Sequence, residues 1–96
     1  MAKKNVDAGI LIGSVCDNIK SFLLIKNHRY GNSALCPVGI FSKIDAGSQI
    51  CNRIDNKLSR IKNAKDLRKN DVVDLIGYLV LLLIQKGWVT FDELID

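Results

Sequence analysis

The 96-residue sequence has little of what β-proteins and small metal-binding proteins need. It contains one proline and six aromatic residues counting Phe, Trp and Tyr, whereas Ile and Leu are abundant. A sandwich of short strands needs frequent Gly and Pro turns, so this composition favours helices. The chain also has no P-loop, no G-x-G-x-x-G and no convincing Ser-His-Asp or Cys-His arrangement, which removes the common catalytic and phosphate-binding motifs.

Cysteine and histidine are too few and too badly spaced for a structural zinc site. The three cysteines, Cys16, Cys36 and Cys51, include no C-x-x-C pair, and His28 is the one histidine. Four ligands at suitable spacing are required for zinc. We therefore expect the thiols to be reduced, mostly buried small apolar groups in a reducing cytosol.

No segment is expected to enter a membrane or direct secretion. Lys3 and Lys4, followed by the apolar residues 8–13, imitate a secretion signal, but Asp7 interrupts the approach and no A-x-A cleavage site follows. The most apolar stretch, residues 75–84, is too short to span a bilayer of about 30 Å as a helix. The sequence predicts a cytoplasmic protein without membrane contact.

The chain length and composition predict a single packed domain over residues 1–96. The hydrophobic fraction is 48%, which argues against disorder. A domain of this size buries a modest share of its surface, so oligomerisation is a natural way to bury more. The net charge of +4 points to an anionic partner such as a nucleotide or polynucleotide, with a solvated basic surface as the alternative.

Helical spacing of apolar residues predicts an all-α fold, a small bundle of three long helices and one or two short ones. The long helices are expected at about 7–27, 45–63 and 70–85, with Gly31 or Asn32 as a left-handed cap of the first and Gly87 ending the third. The apolar stripe of the second helix consists of Ile50, Ile54, Leu58 and Ile61.

Further signals mark the short helices and the third long helix. Asn70 is the expected N-cap of the third helix. Pro37 fits the first turn of a short helix over 37–42, and Thr90 fits the cap of a final turn over 91–95. The third helix is apolar on nearly every side, and we therefore expect a homo-oligomer.

The second helix carries a basic stripe, Arg53, Lys57 and Arg60, at positions i, i+4 and i+7. A phosphate needs positive charge and converging donors, and Arg offers a planar fork where Lys offers a point charge. The alternative interpretation is an ordinary solvated helix face.

Two acids on the third helix, Asp71 and Asp74, form a D-x-x-D pair. Carboxylates three residues apart can hold a divalent cation, but acids at a helix start more often complement the helix dipole. Tyr78 lies one turn after Asp74 on the same face, and its hydroxyl needs a partner if it is buried.

The densest polar and aromatic cluster surrounds the histidine. It consists of Lys26, Asn27, His28, Tyr30 and Asn32. Tyr30 is suited to stack on a base, and Asn32 or His28 to read its edge. A helix C-cap with routine basic residues is the alternative.

The order of these residues resembles the nucleotide-modification-associated domain of bacteriophages, over roughly residues 19–85. The matching signature is Lys26-Asn27-x-x-Tyr30-Gly31-Asn32-Ser33, Ile40-Phe41-Ser42, Arg53-Ile54-Asp55-x-Lys57-x-x-Arg60-Ile61-Lys62-Asn63, and Asp71 followed by Asp74-Leu75-Ile76-Gly77-Tyr78. The resemblance implies a helical phage protein linked to nucleotides. The chain is also distantly similar to the all-helical nucleotide pyrophosphohydrolases of the MazG type.

The chain differs from those hydrolases in the number and position of its acidic residues. Such enzymes resemble two-metal systems with an E-x-x-E and an E-x-x-D pair, whereas this chain has Asp71 and Asp74 on one helix and only Asp55 on the other. A basic site should hold an anion, so we expect a binding protein with no catalytic residue, metal or cofactor.

Three functions follow as hypotheses. The first is a phage protein that sequesters a nucleotide, such as a cyclic immune signal, as an anti-defence sponge in the host cytosol. The second is a Mg²⁺-dependent nucleotide phosphohydrolase or accessory, and the third is a nucleic-acid-binding or protein-interaction module. The expected ligand-binding residues are Lys26, Asn27, His28, Tyr30, Asn32, Arg53, Lys57, Arg60, Asp74 and Tyr78.

Overall fold

A computed structural model describes residues 7–35 and 44–95, and these two ranges contain helices and no strand. The helices are α1 (Ala8–Tyr30), α2 (Ala46–Asn63), α3 (Lys69–Gln85) and a short 3₁₀ helix, η1 (Asp92–Leu94). The predicted all-α class is confirmed. The short helix expected at 37–42 lies outside the described residues.

The chain divides into two compact units, one ending at Gly31 and the other beginning at Asn32. The first unit contains α1, and the second contains α2, α3 and η1. The single domain expected from the chain length stays a prediction, and so does the homo-oligomer.

Helix α1 is capped by Asp7 at its N-terminus and by Gly31 at its C-terminus. The Asp7 carboxylate accepts hydrogen bonds from the backbone N–H groups of Gly9, at 2.8 Å, and Ile10, at 3.4 Å. At the other end Gly31 has φ +57°, and its N–H donates to the Asn27 carbonyl at 2.9 Å. The predicted left-handed cap is confirmed, and Asn32 follows with φ +63°. Helix α1 ends at Tyr30, beyond the predicted end at about residue 27. The residues between these two points are compatible with a helix, so the helix continues up to the cap at Gly31.

None of the residues of α1 is buried, although the helix is rich in large apolar side chains. By length and composition alone, α1 could cross a membrane. However, Asp17 and Lys20 lie near its middle, and each would cost about 2.5–3.5 kcal/mol at the bilayer centre. The nine Ile, Leu, Val and Phe side chains of α1 contribute only about 0.3–0.6 kcal/mol each. Together the two charges cost about 5–7 kcal/mol, against about 3–5 kcal/mol from these side chains, so the two sums are of similar size. The cytoplasmic location stays a prediction.

Helix α2 begins at Asp45, whose carboxylate accepts from the Ser48 backbone N–H at 2.9 Å and from the Ser48 hydroxyl at 3.1 Å. The hydrogen bond from the Ser48 backbone lowers the pKa of Asp45, because it stabilises the ionised carboxylate. Ionised Asp45 therefore satisfies N–H groups that would otherwise lack partners at the start of the helix.

The buried face of α2 differs from the predicted stripe at one position. Ala46, Ile50 and Lys57 are buried, whereas Leu58 is 48% exposed. The inward positions therefore follow the spacing 46, 50, 54, 57 and 61, and Lys57 takes the place that the apolar pattern gave to Leu58. A lysine can occupy such a position only when its charge is paired.

Helix α3 starts one residue before the expected N-cap, so the prediction of Asn70 is wrong. The cap position is Arg68, which makes no side-chain capping bond, and Asp71 lies in the first turn. The predicted end is confirmed: Gly87 has φ +74°, and its N–H donates to the Ile84 carbonyl at 2.9 Å. The N–H of Trp88 reaches the Leu83 carbonyl at 2.8 Å, which completes the capping turn.

Helices α2 and α3 form an antiparallel hairpin. The start of α2 lies beside the end of α3, where a Cβ at Gly47 would be 3.5 Å from the Gln85 side chain. Nearer the connecting residues 64–68, Lys57 of α2 contacts Asp71 of α3. The hairpin buries few apolar side chains, with Ile50 1% exposed at its centre.

Two smaller expectations need correction. Cys16 and Cys51 are free and exposed, so they are not the buried apolar groups that we expected, and Cys36 lies outside the described residues. The final turn exists as η1, but its cap position is Phe91 and not Thr90.

Alanine at two glycines of α1 should change stability in opposite directions. Gly13 lies in the helix with open space around its Cβ position, so Gly13→Ala should stabilise α1 by about 1 kcal/mol. Gly31→Ala should cost about 1–2 kcal/mol because an L-residue is strained at φ +57°. Urea unfolding followed by circular dichroism measures both, and shifts of the same sign would contradict the assigned cap.

Candidate functional site

Three charged side chains meet between α2 and α3. The Lys57 ammonium donates to Asp71 Oδ1 at 3.1 Å and to Asp74 Oδ2 at 3.2 Å. The side chains of Lys57 and Asp71 are 10% and 3% exposed, and that of Asp74 is 28% exposed. We call Lys57, Asp71 and Asp74 the interhelical charge cluster.

Helical spacing explains why these groups meet. Asp71 and Asp74 are three residues apart and share one face of α3, while Lys57 projects from the inward face of α2. The hydrogen bond to Asp71 raises the pKa of Lys57 above its ordinary 10.5, although burial acts in the opposite direction. No buried side-chain polar atom in the described ranges lacks a hydrogen-bond partner. The buried polar atoms of the cluster therefore have hydrogen-bond partners within the chain, while its two carboxylates outnumber its one ammonium.

Arg60 lies at the edge of the cluster with its guanidinium facing solvent. Its Nε is 3.8 Å from Asp71 Oδ1, and 59% of its side chain is exposed. Arg53, two turns earlier on α2, is also exposed. Of the predicted basic stripe, the two arginines remain accessible, whereas Lys57 lies inside. The ammonium of Lys57 is held by two carboxylates of α3, and its expected role as a ligand contact stays a prediction.

The acids do not form the arrangement that the hydrolase hypothesis needs. That hypothesis brings Asp55, Asp71 and Asp74 together on Mg²⁺. Instead Asp71 and Asp74 turn toward Lys57, and Asp55 is exposed on α2. In residues 7–35 and 44–95 no three His, Cys, Asp or Glu residues are placed to share a metal ion. Tyr78 is half-buried one turn beyond Asp74.

The polar cluster near the histidine lies at the end of α1. The Lys26 ammonium is 5.1 Å from the centre of the Phe22 ring, a cation–π contact. Asn27, His28 and Tyr30 are exposed, and Tyr30 has 63% of its surface accessible. His28 in the last turn complements the helix dipole when it is charged. Within their own unit, Asn27, His28 and Tyr30 are therefore accessible, whereas Lys26 is half-buried and contacts Phe22.

An open groove of about 410 Å³ lies where α2 begins and α3 ends, and no pattern in the sequence predicted it. Its lining includes the Asn52 amide, the Lys86 ammonium and the Cys51 thiol. The full lining is Asp45, Gly47, Ser48, Cys51, Asn52, Leu82, Gln85 and Lys86. These residues come from the beginning of α2 and the end of α3, which are far apart in the sequence. No local motif therefore predicts the groove. Asn52 precedes Arg53, which places the groove on the same helix as the exposed arginines.

Comparison of the chain with known proteins gives no further assignment. No family model, no curated protein and no solved structure matches it. The candidate site therefore consists of the interhelical charge cluster, two exposed arginines and a groove of mixed polar and apolar lining.

Removing the cation of the cluster should strongly destabilise the hairpin. Lys57→Met leaves Asp71 buried without its partner, which should cost about 3–5 kcal/mol. Lys57→Met combined with Asp71→Leu should recover much of that loss, because apolar groups of similar volume can replace a buried pair. The control Lys62→Met, on an exposed lysine of α2, should change stability by less than about 0.5 kcal/mol. Urea unfolding tests this, and equal midpoints for Lys57→Met and Lys62→Met would contradict it.

Stability should fall at alkaline pH through Lys57. Its raised pKa means that the stabilisation is fully present below 10.5, the ordinary value, and is lost as pH rises through the higher folded-state pKa. The unfolding free energy of the parent should therefore decline more steeply above pH 10.5 than that of the Lys57→Met/Asp71→Leu variant. Parallel slopes of the two proteins in denaturant titrations over this range would contradict the assignment.

Proposed function

We propose that this chain is a non-enzymatic phage protein that binds and sequesters a nucleotide, a cyclic nucleotide signal of bacterial antiviral defence, without turning it over. The observation that carries the proposal is the position of Arg60. Its guanidinium is 59% exposed, with Nε 3.8 Å from Asp71 Oδ1, beside an acid pair that already holds the Lys57 ammonium. The resemblance to phage nucleotide-associated domains supports the same class of ligand.

The charge arrangement favours a phosphate over a metal ion. Lys57 lies between Asp71 and Asp74, so a cation would have to displace an ammonium that is already hydrogen-bonded. The arginines, by contrast, project from the surface of α2, where a guanidinium can donate two parallel hydrogen bonds to a phosphate. Asp71 lies close enough to Arg60 to restrict its orientation, which lowers the entropic cost of binding.

The spacing of the arginines suits a ligand with more than one phosphate. Arg53 and Arg60 are seven residues apart, and a helix rises about 1.5 Å per residue, so their backbones are separated by roughly 10 Å on one face. A cyclic or linear oligonucleotide presents phosphates at separated positions, whereas a mononucleotide monophosphate would satisfy one arginine. We therefore expect a preference for ligands with two or more phosphates.

Base recognition is assigned to the end of α1 and the residue after its cap. Tyr30 offers an exposed ring for stacking, and Asn32, held at φ +63°, offers an amide for a base edge. Lys26, Asn27 and His28 would add donors around it, and Asp74 and Tyr78 stay candidates at the cluster. The chemistry of these side chains supports this proposal.

A homo-oligomer in the host cytosol belongs to the proposal. The α2–α3 hairpin has Ala46 and Ile50 as its buried apolar side chains within the described ranges, while Leu79 and Ile84 are 43% and 45% exposed. Two helices with so small a core gain stability from further packing. Association through α3 would cover these side chains.

Truncating either arginine should weaken nucleotide binding. Each charged hydrogen-bonded contact is worth about 1.5–3 kcal/mol, so Arg53→Ala and Arg60→Ala should each reduce affinity by roughly tenfold to a hundredfold. A thermal-shift screen with linear and cyclic mono-, di- and trinucleotides identifies the ligand, because binding to the native state raises its stability. Calorimetry then measures the variants. Lys62→Ala, on the opposite side of α2, is the matched control and should bind like the parent.

Two further experiments test the proposal: metal removal distinguishes a binding protein from a phosphohydrolase, and substitution of Tyr30 tests the contact with a base. EDTA should leave the affinity unchanged and the recovered ligand intact, whereas loss of binding with rescue by Mg²⁺, or a cleaved product, would favour the phosphohydrolase. Tyr30→Ala should cost about 1–3 kcal/mol if a base stacks there, and Tyr30→Phe should cost little. If folded Arg53→Ala, Arg60→Ala and Tyr30→Ala proteins bind as tightly as the parent, the proposed site is wrong.

A further inference from the structure

Helix α1 carries a heptad pattern along its exposed surface. Ile12, Val15, Ile19 and Phe22 follow one another at spacings of three, four and three, the pattern of a and d positions in a coiled coil. Leu11, Leu23 and Ile25 flank this seam at the adjoining e and g positions. The outward b, c and f positions are largely small or polar, and they include Gly13, Ser14, Asp17, Lys20 and Ser21. Ile10 and Leu24 also occupy f positions and are 70% and 60% exposed, so α1 is apolar beyond the seam and its small and polar residues lie mainly at the b and c positions.

The seam is exposed along most of its length. Ile12 is 63% exposed, Val15 is 55% exposed and Phe22 is 41% exposed. Ala8, Leu11, Ile12, Val15 and Cys16 line a shallow, almost wholly apolar depression on it. The contiguous surface along α1 is of the kind that marks an interaction site.

We infer that this seam binds the same helix of a second copy of the chain, and that the two helices run antiparallel. The heptad continues into Lys26 and Arg29, which occupy the next a and d positions. A parallel pair would place Lys26 against Lys26 and Arg29 against Arg29, and like charges in contact disfavour that arrangement. An antiparallel pair separates these charges to opposite ends.

The antiparallel register also gives each seam residue a suitable neighbour. With the pair centred on residue 17, Val15 lies opposite Ile19 of the second copy and Ile12 lies opposite Phe22 of the second copy. Lys26 then falls opposite Ala8 and beside the Asp7 carboxylate, which brings opposite charges together. The opposed helix dipoles add to this preference. Asp17 and Lys20 stay on the outer face, in water, where the charges carry no burial cost.

Cys16 provides a natural test of the register. In the antiparallel pair the two copies of Cys16 lie on the same flank, offset by roughly 3 Å along the axis at about 1.5 Å per residue. The two copies of residue 12 would be roughly 15 Å apart in that register, but side by side in a parallel pair. Cross-linking at these two positions therefore distinguishes the orientations, and it does so independently of nucleotide binding and of any association through α3.

The experiment uses the full chain with Cys36→Ser and Cys51→Ser, treated at micromolar concentration with a short bismaleimide. We expect Cys16 to give a covalent dimer that is lost in denaturant. Ile12→Cys placed in the same background with Cys16→Ser should give no dimer. Ile19→Asp should abolish the Cys16 cross-link, whereas the neighbouring outward substitution Ser21→Asp should leave it intact.

Three results would overturn the inference. Efficient cross-linking of Ile12→Cys but not Cys16 would show a parallel pair, and no cross-link at either position would show that the seam is covered by something else. Sedimentation of the protein with phosphatidylglycerol vesicles, accompanied by loss of the Cys16 cross-link, would assign the seam to a lipid surface instead.

Discussion

The contact between Lys57 and the two acids of α3 is the interaction on which the second unit depends. A lysine on the inward face of α2 is tolerable only because Asp71 and Asp74 accept its hydrogen bonds at 3.1 and 3.2 Å. The same contact fixes the rotation of both helices, since it requires Lys57 to point inward and Leu58 to point outward. With few buried apolar side chains in the hairpin, this polar contact specifies how α2 and α3 pair.

The cluster also decides what kind of site the hairpin can carry. An acid pair on a helix suggests a metal site when it is taken alone, and a basic stripe suggests a phosphate site. Lys57 offsets one of the two acid charges and occupies the carboxylate oxygens, while the exposed arginines are Arg60, 3.8 Å from Asp71, and Arg53. A cation at the acids would have to displace the Lys57 ammonium, and this supports the proposal that the hairpin binds an anion through its arginines.

Much of the secondary structure was predictable, because the formation and capping of a helix depend on residues that are close together in the sequence. The caps at Gly31 and Gly87 and the bounds of α2 follow from short-range rules of conformation and capping. The burial of Lys57 was not predicted, because its partners lie 14 and 17 residues away on another helix. A usable signal did exist: a lysine in phase with Ile50 and Ile54, followed by a D-x-x-D pair on the next helix. The exposure of Arg60 follows from its place in the basic stripe, whereas the groove near Asn52 is formed by residues too far apart in the sequence for a local pattern to predict it.

The most direct test of the account is to follow Lys57 and the arginines separately while a nucleotide binds. In ¹⁵N-labelled protein, the side-chain ammonium signal of Lys57 and the Nε–H signals of Arg53 and Arg60 can be observed by NMR during titration with the nucleotide identified in the thermal-shift screen. Our account predicts that both arginine signals shift with the ligand while the Lys57 signal keeps its position, because its ammonium stays on Asp71 and Asp74. A Lys57 signal that shifts strongly while Arg53 and Arg60 do not respond would contradict it.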